Sequence, residues 1–254
     1  TPKPSSAASD VYKRQLTDRT CEGARSSQIR REEIRPDAST SAGFARGMAA
    51  DGLAHAALDR EDEGMNRDIA TALLVIDAQE LFRQRPDEWA ATANPDAIDN
   101  ISRLVDHARE IGDQVVWVTH SEPGSGGVFD PVNGFVRVIS DLDPQGDEIA
   151  VTKTTVNAFT STDLEEQLRQ LGVGRVVVCG IRTEQCCETT ARMASDLGFA
   201  VEFVTDATTT SAIEANDGLA AVSSDEIMRR TESILAARGF ATVIRTSDRV
   251  GISA

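Results

Sequence analysis

Downstream of Met65, short apolar runs alternate with stretches whose apolar residues recur every three or four positions. Ala72-Leu-Leu-Val-Ile-Asp77 is nearly continuous in hydrophobicity, the pattern of a strand buried on both faces. Ile98, Ile101, Leu104, Val105, Ala108 and Ile111 then form one helical stripe over 96–111, with Gly112 as the stop. Further strands are predicted at Gln114–His120, Ile149–Lys153, Arg175–Gly180, Val201–Asp206 and Ala241–Arg245. Thr162 and Glu165 have the spacing of a capping box for a helix carrying Leu164, Leu168 and Leu171. Another helix is predicted over about 184–197, closed by Gly198, and more helical sequence runs up to Leu235. Most of the Gly and Pro punctuation falls within 121–147, which reads as a long loop with one short helix. Strands alternating with helices predict right-handed crossovers, hence a three-layer α/β/α, Rossmann-like fold with a six-stranded parallel sheet.

The segment before Met65 has no such period. Residues 1–64 are rich in Ser, Ala, Arg and Asp, and 4–15 resemble translated adapter sequence rather than a targeting peptide. The alternative is a disordered tail, and neither reading gives this stretch a function. Met65 is the expected native start, leaving 65–254 as the folded domain. The 254 residues carry 41 acids against 26 bases, for a net charge of −15, and nearly all of the excess lies after Gly64. Such a surface repels phosphate backbones and anionic lipid heads, so no nucleic-acid or membrane partner is expected. No apolar run approaches the roughly 20 residues needed to cross a bilayer. Four cysteines, two of them the adjacent Cys186 and Cys187, are too few and too clustered for a disulfide scaffold, which predicts a cytoplasmic setting.

In an open α/β sheet, ligands bind outside the carboxyl ends of the strands. The residues there are Asp77, His120, Lys153, the Gly180–Cys186 turn and Asp206. Cys186 is either a nucleophile whose thiolate is favoured by the first amides of a helix or a small buried cysteine. Asp77 is either a general base for that thiol or a turn aspartate, and Lys153 either holds Asp77 ionised or is a solvated surface lysine. Cys187 lies about 100° further round the helix, and Cys179 sits inside an apolar strand as core. Asp206 is expected to cap the following helix. Gly172-Val-Gly174 precedes its strand and is read as a turn, not as a dinucleotide fingerprint.

Three segments, taken together, resemble the isochorismatase-like cysteine hydrolase family: Leu74-Val-Ile-Asp77-Ala-Gln79-Glu-Leu-Phe82, Lys153-Thr-Thr-Val-Asn-Ala-Phe159, and Gly180-Ile-Arg-Thr183-Glu-Gln-Cys186-Cys-Glu-Thr-Thr190-Ala. The resemblance covers about 73–207. It implies a catalytic Asp77, Lys153 and Cys186, a cis peptide bond between Ile181 and Arg182, and an oxyanion hole formed by the Arg182 and Cys186 amides. The family's nicotinamidase branch has a metal site built from Asp-x-His and further histidines. The matching stretch here, Thr119-His120-Ser-Glu122, has no second histidine nearby, so neither metal nor other cofactor is expected.

The family's true isochorismatases usually lack the nucleophilic cysteine, so with Cys186 present the resemblance implies cleavage of a C–N bond in a small amide, carbamoyl or lactam substrate through a thioester. The alternatives are vinyl-ether hydrolysis with Cys186 incidental, and a binding module without turnover. Phe82, Trp117, His120 and Phe159 are the candidate substrate-binding residues, with Trp89 as a further lining candidate and Phe129 or Phe135 expected to close the pocket from the long loop. Trp117 and Phe159 are equally compatible with plain core positions. The family's habit of assembly implies a homo-oligomer.

Overall fold

A computed structural model describes residues 70–251. The expected extension over 1–64, with Cys21, His55 and the Met65 start, lies outside the described residues. Six strands form one all-parallel sheet: β1 (Ala70–Ile76), β2 (Gln114–His120), β3 (Ile149–Lys153), β4 (Val173–Ile181), β5 (Ala200–Thr209) and β6 (Thr242–Ile244). Their spatial order is β3-β2-β1-β4-β5-β6. The helices are α1 (Pro86–Ala90), α2 (Ala97–Ile111), α3 (Leu164–Gln170), α4 (Glu188–Asp196), α5 (Ser224–Ala237) and α6 (Thr246–Val250). None is long and apolar enough to cross a membrane.

The near-continuous hydrophobicity of β1 has a direct cause, since both of its faces are covered. Ala72, Leu74 and Ile76 face a core shared with α3, α4 and α5 through Leu164, Leu168, Ala191, Ala194 and Leu235. Leu73 and Val75 face the opposite core, where α2 contributes Ile98, Ile101, Leu104, Val105 and Ala108. Burying each such Leu or Ile contributes about 1.5–3 kcal/mol, so this central strand is strongly fixed in register.

The chain reverses its winding direction between β1 and β4, and a crevice opens at their carboxyl ends, the usual ligand position in such sheets. Two backbone features shape it. Asp77, directly after β1, has φ +48°, a left-handed conformation that Asp tolerates better than most residues. Gly180 pairs with Ile76 and has φ +128°. A Cβ there would stand 1.9 Å from the Ile76 carbonyl oxygen, so only glycine lets β4 lie this close to β1 beside Asp77.

Several expectations are revised locally. No capping box forms at Thr162: α3 begins at Leu164, and the Thr162 hydroxyl accepts from the Leu164 amide while donating to the Ala158 carbonyl. The helix predicted from 184 is split, with a π turn over Thr183–Cys187 and α4 only from Glu188. Strand β4 starts at Val173, so Gly174 is a strand residue. Strand β5 continues past Asp206 to Thr209 through a bulge. Asp206 does cap a helix, but it is α6: its carboxylate accepts from the Thr246 amide at 2.8 Å and hydroxyl at 2.9 Å. The long loop holds two short 3-10 turns, Pro131–Asn133 and Ser140–Leu142.

Gly180→Ala is expected to lower unfolding free energy by about 3 kcal/mol or more, because both the clash and the left-handed φ must be relieved. Urea denaturation monitored by circular dichroism checks it, and a loss below about 1 kcal/mol would contradict the close approach.

Candidate active site

Asp77, Lys153 and Cys186 come from the ends of β1, β3 and β4, and the sheet gathers them in the crevice. Lys153 is fully buried, which removes the surface-lysine alternative. Its Nζ lies 2.8 Å from Asp77 Oδ2 and donates to Cys186 Sγ at 3.4 Å and to the Thr155 carbonyl at 3.2 Å. Asp77 is 1% exposed, and its other oxygen, Oδ1, is buried without a hydrogen-bond partner. Burial pushes the Asp77 carboxyl above its ordinary range, against the opposing pull of the Lys153 charge and the nearby thiol. Uncompensated burial of a carboxylate is prohibitively costly, so the ammonium is what makes an ionised Asp77 tenable here.

Cys186 sits inside the π turn, half-buried, with Cys187 behind it in the core. The turn is closed by the Gln185 and Cys187 amides, which donate to the Arg182 carbonyl at 3.3 and 3.2 Å. The Ile181–Arg182 peptide bond at its start is cis. Desolvation opposes the thiolate that the turn amides would favour. Burial pushes the Cys186 thiol up to about 12, the Asp77 charge adds to the rise, and Lys153 only partly offsets it. Directly after the turn, buried Glu188 joins Arg192, Arg230 and the Thr231 hydroxyl, tying the start of α4 to α5.

The candidate substrate-binding residues divide into two groups. His120 ends β2 beside the triad, with Nδ1 3.5 Å from Lys153 Nζ and Nε2 3.3 Å from Glu122 Oε1. Gln79, fully buried, clamps it: the Gln79 amide accepts from His120 N at 2.8 Å and donates to His120 O at 3.1 Å. Phe129 packs edge-on against both the His120 and Phe82 rings, at centroid distances of 5.0 and 6.2 Å. Trp117 and Phe159 lie elsewhere. Trp117 is buried in the core on the α2 side with its indole N–H on Glu148 at 2.6 Å, and Phe159 stacks on Phe199 in the opposite core.

Sequence reasoning missed the roles of Gln79 and Glu88. Gln79 was visible only as part of a motif, and Glu88 lies in an aperiodic segment. A small cleft beside the nucleophile turn is lined by Phe82, Glu88, Trp89, Arg182, Thr210 and Ser211, among others. Within it the Arg182 guanidinium pairs with Glu88 and lies 5.8 Å from the Phe82 ring centroid. Burial alone would raise the Glu88 carboxyl, but the hydrogen bond and charge of Arg182, with Arg85 behind, carry it below its ordinary value. Among the described residues, no group of three His, Cys, Asp or Glu side chains is placed to hold a metal ion. His120 and Glu122 instead pair with each other.

Removing one partner of the buried Asp77–Lys153 pair is expected to be far worse than removing both. Lys153→Met should cost about 3–5 kcal/mol, and adding Asp77→Asn should restore most of it. A double-mutant cycle by urea denaturation reads this, and additive losses would refute the coupling. Alkylation of Cys186 by iodoacetamide should be slow at neutral pH and rise about tenfold per pH unit from 7 to 10, because only the thiolate reacts. Peptide mapping of the labelled protein checks it, and a rate already level near pH 7 would show a low thiol pKa instead.

The isochorismatase domain profile matches residues 71–244. Nicotinamidase 3 of Arabidopsis thaliana is 36% identical over 152 residues, covering 55% of this chain and 73% of that protein. A streptothricin hydrolase of Streptomyces noursei is 33% identical over 150 residues, covering 58% of each chain. Among solved structures, a cysteine hydrolase from Pseudomonas syringae pv. phaseolicola superposes with a TM-score of 0.66 at 26% identity, covering 74% of this chain and 99% of that one. With the six-stranded parallel sheet and a profile match that spans well over half of it, the chain belongs to the isochorismatase family of hydrolases.

Proposed function

We propose that the protein is a cysteine hydrolase that cleaves the C–N bond of a small amide, carbamoyl or lactam substrate through a thioester on Cys186. The observation that carries this reading is the division of labour at Asp77. One carboxylate oxygen is held by Lys153, while the other is buried, unpaired and free to accept a proton. Burial raises the basicity of Asp77, and the Lys153 ammonium keeps it charged. That the relatives include a nicotinamidase and a streptothricin hydrolase supports amide chemistry for the family while leaving this chain's substrate open.

In this reading Asp77 takes the Cys186 proton as sulfur attacks the carbonyl carbon, and the carbonyl π electrons move onto oxygen. The Arg182 and Cys186 backbone amides are the donors for that oxyanion, each typically worth roughly 3–4 kcal/mol in the transition state. The tetrahedral species collapses as the C–N bond breaks, and Asp77 returns its proton to the leaving nitrogen. Water then attacks the thioester with Asp77 as base, releasing the acid and restoring the thiol. No step passes through a metal.

An ammonia-release screen across small carboxamides, ureido acids and lactams, with pyruvate assayed in parallel on vinyl-ether substrates, tests the assignment. Cys186→Ala is expected to lower turnover of any amide hit by a factor on the order of 10⁴ or more, with the fold intact. An active Cys186→Ala protein, or pyruvate release without ammonia release, would sink the thioester route.

A further inference from the structure

We infer that the cleft beside the nucleophile turn is a seat for a carboxylate of the ligand, with Arg182 as its anchor and Glu88 as the counterion a ligand displaces. This deepens the amide-hydrolase reading and rests on it for the identity of the reaction, but not for the binding itself.

Charge makes the case. Among the described residues, Glu88 and Arg182 are the charged ones that line the cleft. Glu88 also receives Arg85 on Oε2 at 3.1 Å and the Ser211 hydroxyl on Oε1 at 3.5 Å. Two guanidiniums thus share one carboxylate, so Glu88 alone does not use up their donors. An arginine presents a planar fork of donors suited to bidentate capture of a carboxylate, and Glu88 occupies only part of it. The Glu88 side chain is one-third exposed, so it can swing to water when another anion takes its place.

The walls supply the other half of the recognition. Phe82 and Trp89 give the cleft an apolar side; its free volume is only about 10 Å³ with Glu88 in place, so the body of a small acid lies against that side once Glu88 has swung out. Phe82 also touches Phe129, whose ring contacts His120, and His120 in turn approaches Lys153. The seat is therefore joined to the triad through the Phe129 and His120 rings, and Arg182 itself lies four residues before Cys186. The ligand class that fits both halves is a small amide with a second, non-reacting carboxylate, bound by that carboxylate to Arg182.

Isothermal titration calorimetry on the full chain, with benzoate as the anionic probe and benzyl alcohol as the neutral one, tests this without turnover. Benzoate should bind at one site at least about tenfold more tightly than benzyl alcohol. Arg182→Gln should weaken benzoate about tenfold or more, whereas Glu88→Gln should tighten it roughly threefold by freeing the guanidinium. A merely structural ion pair would make both variants shift binding the same way. Equal binding of the two probes, no saturable benzoate binding up to about 50 mM, or weakening by both variants would overturn the seat. If ammonia release depends on Cys186 but calorimetry shows no charge preference, the carboxylate seat alone falls. If Cys186→Ala stays active while benzoate still follows Arg182, only the thioester reading falls.

Discussion

An ion pair removed from water governs the crevice. Asp77 and Lys153 are both buried, at the ends of strands that are not neighbours in the sheet, with β2 between them. Desolvating two charges costs several kcal/mol per ion unless geometry and further hydrogen bonds repay it. Nζ does so by meeting the carboxylate at 2.8 Å and spending other donors on a carbonyl and on sulfur. Since neither charge is tolerable alone, the strand ends that carry them are held together, and the thiol turn is held beside them.

The backbone serves the same geometry. Gly180 admits β4 close against Ile76, and Asp77 turns left-handed one residue later, aiming its carboxylate along the crevice rather than into a core. Gln79 locks the ends of β1 and β2 through both of its amide atoms, fixing His120 relative to Asp77. Behind the nucleophile, Glu188 draws on two arginines and a threonine to pin α4 against α5. Gln79 and Glu188 are both polar and buried, and each has its partners close by.

The fold was legible because its inner strands are covered on both faces, while the edge strand β3 still shows as a short run that ends on buried Lys153. The runs at 72–76, 114–120 and 149–153 needed no help from distant residues to be recognised, and β2 and β3 match the predicted bounds. The strand-end rule then drew Asp77, Lys153 and Cys186 together without any distance being known. What sequence could not provide was what depends on burial and long-range partners. Whether Lys153 was solvated or enclosed, and whether the Cys186 thiol would be acidified by nearby amides or made less acidic by desolvation and a carboxylate, are questions about surroundings. Trp117 and Phe159 could equally face core or cleft until the register fixed which side of the sheet each occupied. The bulge that carries β5 past Asp206 and the π turn before α4 likewise follow from strand pairing and turn closure, neither of which a local period records.

Lys153 has one more property with a consequence of its own. An ammonium has three hydrogens, yet four polar atoms surround this one: Asp77 Oδ2, the Thr155 carbonyl, Cys186 Sγ and His120 Nδ1, all within 3.5 Å. One of them must always go without. A torsion about a single C–N bond is enough to change which, so negative charge arising on sulfur can be answered by rotating hydrogens, while the heavy-atom framework stays where the sheet has put it.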